Sequence, residues 1–124
     1  MAEAIARYDA ADVVEASSAG LSPLGFIPEL TKQTLMQNDY SANGLKSDRM
    51  THEACDAADI IINMTGKPNE EAFLHHEKVE DWIVRDPYGE DADTYQKVFE
   101  GIHRRVGQLA EELRHKRESR TTKE

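Results

Sequence analysis

The run DIIINMT, residues 59–65, constrains the fold of this chain more than any other stretch. Its three isoleucines make it continuously apolar and β-branched, and it is too short for a helix that stands alone. A half-exposed strand alternates apolar and polar residues, so an unbroken apolar run predicts a strand buried on both faces. Strands of that kind belong to parallel sheets that helices cover on either side. The run therefore predicts an α/β fold.

The elements predicted around this strand alternate between helix and strand. Two more strands are predicted, at residues 13–17 with their paired valines and in KVEDWIV at 78–84. A last helix is predicted over 93–116, because its apolar residues recur at three- and four-residue steps: Tyr95, Val98, Phe99, Ile102, Val106, Leu109 and Leu113. Further helices are predicted at 1–9, with Ile5 and Tyr8 on its apolar face, at 28–38, and within 66–77. A short helix is also predicted at 51–58, with Thr51 as its cap. The pattern is that of a three-layer α/β sandwich, with a small parallel sheet flanked by helices.

Charge and cysteine content exclude several classes of function. The 124 residues carry a formal net charge of -9, and so acidic a surface repels phosphate backbones and anionic lipids. We therefore expect no nucleic-acid partner and no membrane partner. Cys55 is the single cysteine, no apolar run approaches the roughly 20 residues of a membrane span, and no signal peptide is visible. The expected compartment is the cytoplasm.

Three stretches together resemble the low-molecular-weight protein tyrosine phosphatases: SSAG at 17–20, ADIIINMT at 58–65, and DWIVRDPYGEDADTYQKVFEGIHRRVGQL at 81–109. The DPYG sequence with the following DAD is the most specific part. Thioredoxin-coupled arsenate reductases share the fold of that family. The resemblance implies hydrolysis of phosphate monoesters through a cysteinyl phosphate. In that chemistry a thiolate attacks phosphorus, while backbone amides and an arginine stabilise the equatorial oxygens.

The resemblance also implies that these 124 residues lack part of the family's pattern. The family signature runs C-x-G-N-x-C-R-S-x-x-A-E, and Ala2 and Glu3 match its last two positions. The first and central strand, the nucleophilic cysteine and the phosphate-binding arginine would precede Met1. The helix at 1–9 would then carry the phosphate at its N-terminus. We expect a domain truncated in this way to be inactive.

The absent central strand has a consequence for stability. We expect the chain alone not to form a stable monomer with the family's sheet, since the strand's hydrogen bonds and buried side chains contribute roughly as much as a domain's whole stability. Three outcomes are open. Residues 13–17 pair directly with DIIINMT, or another chain supplies a strand within a homo-oligomer, or the natural protein is longer.

By the same resemblance, Asp86 is the general acid that protonates the leaving oxygen, and Tyr88 is an aromatic wall beside the substrate. Taken from the residues alone, Asp86-Pro87 is more ordinarily a turn, although it follows a strand at the edge where open α/β sheets bind ligands. Tyr88 could equally pack within its own loop. The implied substrate is a phosphorylated protein or a small phosphate ester, and neither a metal nor another cofactor is expected.

Cys55 is the rival candidate for a nucleophile, with His52 three residues before it. Glu53 and Asp56 would raise the pKa of its thiol, and no glycine-rich loop adjoins it, so we expect a buried structural cysteine. His52 and Cys55 would supply two metal ligands where zinc needs three or four.

Two alternatives to a phosphatase stay open. One is a truncated arsenate reductase of the same fold, and the other is a non-catalytic protein that uses the scaffold as an interaction surface. The segment TGKPNEEAF at 65–73 lacks the further cysteines that thioredoxin-coupled reductases need, whereas Trp82 before the DP pair resembles those reductases. We place the domain at residues 1–117 and a disordered tail at 118–124.

Overall fold

A computed structural model shows an α/β fold with a small parallel sheet, as the sequence predicts. It describes residues 1–20, 25–46, 48–66, 78–85 and 87–122, the last five without their side chains. Its helices are α1 (Ala2–Asp9), α2 (Glu29–Gln37), α3 (His52–Ala57) and α4 (Ala92–Thr122), and its strands are β1 (Ile61–Asn63) and β2 (Val79–Asp81). The helix predicted within 66–77 falls mostly outside the described residues.

The chain divides into two compact units, each built from separated segments. The helical unit comprises Met1–Ser18, Ile27–Leu45 and Pro87–Glu124 and contains α1, α2 and α4. The strand unit comprises Ala19–Phe26 and Lys46–Asp86 and contains α3, β1 and β2.

In the helical unit, α1 and α2 both pack on α4. The predicted apolar face of α4 is confirmed, because its stripe is buried: Tyr95, Phe99, Ile102, Val106 and Ala110. Ile5 of α1 and Leu35 of α2 are fully buried, and burial of each contributes about 1.5–3 kcal/mol. Tyr8, expected on the apolar face of α1, is 73% exposed, so that assignment is wrong. The helix α4 also extends beyond its predicted end at residue 116.

Polar contacts hold the C-terminal end of α1 against α4. Arg114 donates two hydrogen bonds of 2.9 Å to the Asp12 carboxylate and one of 2.7 Å to the carbonyl of Asp9. The hydrogen bonds from Arg114 lower the pKa of Asp12 to about 2. Because the guanidinium also satisfies a carbonyl at the end of α1, it acts there as a C-terminal cap.

Tyr40 links the segment after α2 to both other helices. Its hydroxyl donates a 2.6 Å hydrogen bond to Asp9, and its ring lies 5.6 Å from Phe99 and 5.8 Å from Tyr8 between centroids. Burial, reinforced by Asp9, raises the pKa of Tyr40 to about 12. The tyrosine is therefore held in its neutral, donating form.

In the strand unit, β1 and β2 form a parallel pair in which Ile61 lies opposite Val79. The predicted cap of α3 is confirmed, since the Thr51 side chain accepts a 3.1 Å hydrogen bond from the backbone N–H of Ala54. At the other end of α3, Lys78 donates to the carbonyls of Asp56 and Ala58 at 3.1 and 2.7 Å. These contacts fix α3 beside the start of β2.

The strand predicted at residues 13–17 is not present. The N–H groups of Val13 and Val14 both donate to the carbonyl of Ala10, at 3.0 and 2.8 Å. The β-branched pair therefore closes the turn that ends α1 rather than starting a strand. Strand-like pairing begins later, at an isolated parallel bridge between Gly20 and Arg49.

The strand in DIIINMT exists but is less buried than predicted. Ile60 is 42% exposed, and Ile61 and Ile62 are half-buried. Among the residues that the structure describes, β1 pairs with β2 alone. Direct pairing with residues 13–17, one of the three expected outcomes, is therefore not observed.

Candidate active site

Asp86, the predicted general acid, lies outside the described residues, whereas the residues before it belong to the strand unit and those after it to the helical unit. Four residues before it, Trp82 is 6% exposed, and its backbone N–H donates to the carbonyl of Asn63 at 2.9 Å. This bond continues the parallel ladder one residue beyond β2. The chain is thus held to the sheet up to Trp82, while Ile83 beyond it is 92% exposed.

The Asn63 side chain joins the C-terminal ends of the two strands. Its amide Nδ2 donates to Asp81 Oδ1 at 2.9 Å, and its Oδ1 accepts from the N–H and the hydroxyl of Thr65 at 3.1 and 2.7 Å. Asn63 is 3% exposed, so these bonds satisfy a polar group that would otherwise be costly to bury. We call Asn63, Thr65 and Asp81 the strand-end cluster. It lies at the sheet edge where parallel strands place ligands.

On the other side of Asp86, Pro87–Glu90 forms a tight turn in the helical unit. The N–H of Glu90 donates to the carbonyl of Pro87 at 2.8 Å, and Gly89 has a φ of 83°, a conformation that side chains disfavour. Tyr88, the predicted substrate wall, is 52% exposed in this turn. Its ring is therefore accessible to solvent on the loop that follows the predicted acid.

Helix α4 begins directly after this turn with a side-chain cap. Asp91 Oδ1 accepts from the N–H and the hydroxyl of Thr94, at 2.9 and 2.8 Å. These hydrogen bonds lower the pKa of Asp91 below its ordinary value. The cap fixes the C-terminal side of the loop on a rigid helix.

The N-terminus of α1 presents backbone donors without a side-chain cap. The first N–H groups of a helix have no partner within it, and the helix dipole makes that end attractive to anions. Burial lowers the pKa of the Met1 amino group, against the opposing effect of Glu3. The buried Glu3 carboxylate accepts a 2.5 Å hydrogen bond from Ser18 and forms an ion pair with Arg7. Glu3 thereby fixes the segment after α1 beside its first turn.

Cys55 is half-buried on α3, less buried than expected, and His52 is exposed. Within the described part of the chain, no three side chains are grouped to hold a metal ion. The same part of the chain contains no helix long and apolar enough to cross a membrane.

Sequence reasoning missed Asn63. The available signal was a lone amide at the end of an otherwise apolar strand.

Comparisons with known proteins agree on one family. The profile of the family described as low molecular weight phosphotyrosine protein phosphatase matches residues 1–119. Arsenate reductase 1 of Bacillus cereus (strain ATCC 10987 / NRS 248) is 27% identical over 113 residues, which are 90% of this chain and 84% of that protein.

Solved structures show the same fold. The YwlE arginine phosphatase from Geobacillus stearothermophilus has a TM-score of 0.84 and 21% identity, with 95% of this chain and 86% of that chain covered. The tyrosine phosphatase Wzb from Escherichia coli K30, in complex with sulphate, has a TM-score of 0.81 and 18% identity, with 90% and 87% covered. At these identities the likeness supports the fold alone.

Proposed function

Because this chain belongs to the low molecular weight phosphotyrosine protein phosphatase family, we propose that it is a protein tyrosine phosphatase-like domain of the phosphate monoester hydrolase class. Asp86 protonates the leaving oxygen as the P–O bond breaks, and Tyr88 lies beside the substrate's organic group. A cysteine thiolate attacks phosphorus from the opposite side. The substrate is a phosphorylated protein or a small phosphate ester.

The family match over residues 1–119 is the observation that carries this proposal, and the chain on each side of Asp86 is fixed within its own unit. The chain before it is tied to the sheet through Trp82 and the strand-end cluster, and the chain after it is fixed by the turn at Gly89 and the cap at Asp91. A general acid must be positioned within hydrogen-bond reach of the atom that it protonates.

The nucleophile is not among these residues in our proposal. Cys55 is half-buried on α3, a helix of only six residues, and two acidic residues, Glu53 and Asp56, adjoin it in the sequence. The uncapped first turn of α1 is suited to one end of a bound phosphate. The signature that holds the family's nucleophilic cysteine and phosphate-binding arginine is not among the 124 residues. Alone, the 124 residues are proposed to be inactive.

A second candidate is arsenate reduction, favoured by the 27% identity with a protein named arsenate reductase 1. Reduction of arsenate by a thioredoxin-coupled route needs cysteines to carry the oxidation, and this chain has one. We therefore place the phosphatase first. The third possibility, a non-catalytic interaction protein, predicts no gain of activity in the experiment below.

The experiment compares the 124-residue chain with the same chain extended by a strand and the signature C-x-G-N-x-C-R-S-x. We expect no turnover of p-nitrophenyl phosphate from the first protein and clear turnover from the second. In the extended protein, Asp86→Asn should lower kcat by about 10²–10⁴-fold for phenyl phosphate. The loss should be smaller for p-nitrophenyl phosphate, because its leaving group needs less protonation.

Cys55→Ser is the matched control in the extended protein, and it should leave kcat unchanged. Turnover by the 124 residues that disappears in Cys55→Ser would refute the mechanism. Equal losses for both substrates in Asp86→Asn would show that Asp86 is not the acid. Arsenate reduction without phosphatase activity would favour the second candidate.

A further inference from the structure

The loop that carries Tyr88 runs directly into helix α4, and both lie in the helical unit. Pro87–Glu90 is a four-residue turn, closed by the 2.8 Å hydrogen bond from the N–H of Glu90 to the carbonyl of Pro87. Gly89, the third residue of the turn, has a φ of 83°, which is the value that a type II turn requires. Tyr88 therefore occupies the second position of a turn with a defined backbone.

Asp91 connects this turn to the first turn of α4. Its backbone carbonyl accepts from the N–H of Tyr95 at 3.2 Å, which begins the hydrogen bonding of the helix, and its carboxylate accepts the two bonds from Thr94. Tyr95 is 2% exposed, so the first turn of the helix is anchored in the core of the helical unit. Asp91 thus holds the chain at the point where an exposed loop becomes a packed helix, three positions after Tyr88.

The position of the Tyr88 ring depends on this cap more than on burial. Tyr88 is 52% exposed, so packing alone restricts its ring only in part. Loss of a capping side chain changes the local equilibrium at a helix N-terminus by a factor of about 2–30, and the residues next to that end are released first. Here those residues include the turn that carries Tyr88, whereas the buried Tyr95 keeps the rest of α4 in place.

We propose that Asp91 is a positioning residue for substrate recognition: through the cap and the turn, it holds the ring of Tyr88 in place to contact the aromatic group of an aryl phosphate. This inference rests on the proposed function, since it takes Tyr88 as the wall beside the substrate. Asp91 itself touches neither the substrate nor the reacting atoms. Contact between two aromatic rings changes binding by a factor of about 2–12, so the cap sets the preference for an aryl ester over phosphate alone.

Amide hydrogen exchange tests the positioning step without any activity, in the 124-residue chain and in the extended protein. In Asp91→Ala the N–H of Glu90 should exchange about fivefold or more faster, because the turn opens more often once the cap is lost. Asp91→Asn keeps an acceptor oxygen and should retain the slow exchange. Asp93→Ala is the matched control, since it removes the same charge from the first turn of α4 and should leave the exchange unchanged. Equal exchange of Glu90 with and without Asp91→Ala would overturn the proposal.

Kinetics of the extended protein test the recognition step. Asp91→Ala should lower kcat/KM for phenyl phosphate by about 2–12-fold, through a higher KM with kcat little changed. The inhibition constant of inorganic phosphate, which has no organic group, should change by less than about twofold. Asp91→Asn should restore kcat/KM, and Asp93→Ala should not alter it. A variant that is only less stable would lose active protein, which lowers kcat and leaves KM and the inhibition constant as they were. That pattern in Asp91→Ala would overturn the proposal.

A double-mutant cycle shows whether Asp91 acts through Tyr88. Tyr88→Ala should lower kcat/KM for phenyl phosphate, and Asp91→Ala should add no further loss in that background; additive losses would overturn the proposal. Gly89→Ala strains the turn from within, because a φ of 83° favours glycine, and should reproduce the loss with the cap intact. An extended protein that turns over phenyl phosphate equally well with Asp91→Ala would overturn this inference alone. No turnover by the extended protein would overturn the proposed function, and this inference with it.

Discussion

Replacing Asn63 with aspartate tests whether the strand-end cluster holds β1 and β2 together. The new side chain has almost the same shape, and its oxygen can still accept from Thr65. What changes is the contact of 2.9 Å with Asp81, where a donating amide is replaced by a carboxylate. The substitution therefore removes one hydrogen bond and places two negative charges side by side.

The loss in the free energy of unfolding can be worked from this contact. A hydrogen bond to a charged group contributes about 1.5–3 kcal/mol. Asp81 is exposed, so an effective dielectric constant of about 40–80 is appropriate, and two unit charges near 2.9 Å then repel by about 1–3 kcal/mol. The expected loss near neutral pH is about 3–5 kcal/mol, a large part of a typical domain's stability.

The loss should depend on pH in a definite direction. Burial and the neighbouring carboxylate raise the pKa of the carboxyl introduced in Asn63→Asp above its unfolded value of about 4. A raised pKa means that stability is present below the unfolded pKa and is lost as pH rises through the folded pKa. The destabilisation should therefore be small in acid, where a protonated carboxyl can donate to Asp81, and should grow toward neutral pH.

Urea unfolding followed by tryptophan fluorescence measures the loss in the free energy of unfolding at each pH. Trp82 is the single tryptophan, and its backbone N–H donates to the carbonyl of residue 63. The control is the exchange of partners in the double variant Asn63→Asp with Asp81→Asn, which restores a donor facing a carboxylate. It should recover most of the loss and remove the added pH dependence. A loss that is the same from acid to neutral pH, or that the exchange does not rescue, would refute the reasoning.

Two further predictions concern the helical unit. The hydrogen bonds from Arg114 hold the pKa of Asp12 at about 2, so this contribution to stability is present above about pH 4 and is lost as pH falls through about 2. In Arg114→Leu the urea midpoint should fall at neutral pH and its slope between those pH values should flatten, whereas Arg104→Leu, on an exposed arginine, should change neither. The pKa of Tyr40 is raised to about 12, so its stabilising effect is lost as pH rises from about 10 through 12. Tyrosinate absorbance should show one of the four tyrosines ionising near 12, and Asp9→Asn should lower that value; four indistinguishable tyrosines would contradict the contact.

The parts of the fold that sequence predicted well are those that periodicity specifies. The buried stripe of α4 follows from three- and four-residue spacing, and the Thr51 cap follows from one hydroxyl before a helical segment. Both signals are local, so they need no knowledge of the rest of the chain. The strand at residues 13–17 failed because β propensity depends on a partner strand, and here Val13 and Val14 bond back to α1 instead.

At the candidate site, the sequence predicted only the residues that belong to a recognisable motif. The DPYG sequence located Asp86 and Tyr88 through resemblance, because composition and spacing alone indicate a turn there. Asn63 escaped prediction since its role depends on Asp81, 18 residues away, and a single sequence does not show which polar residues meet. The exposure of the isoleucines in and before β1 was not predicted for the same reason. An apolar run indicates that a strand can be buried, but it does not show which other parts of the chain cover it.

The bond between Asp12 and Arg114 joins residues 102 positions apart, and this separation sets an order of events during synthesis. A ribosome adds about 5–20 residues per second. About 5–20 s therefore pass between the emergence of Asp12 and that of its partner, an interval in which α1 has no α4 to pack against. Asn63 and Asp81 are separated by only 18 positions, so Asp81 is synthesised about 1–4 s after Asn63. The strand unit can thus begin to form on the ribosome, whereas the helical unit must wait until the last helix has been made.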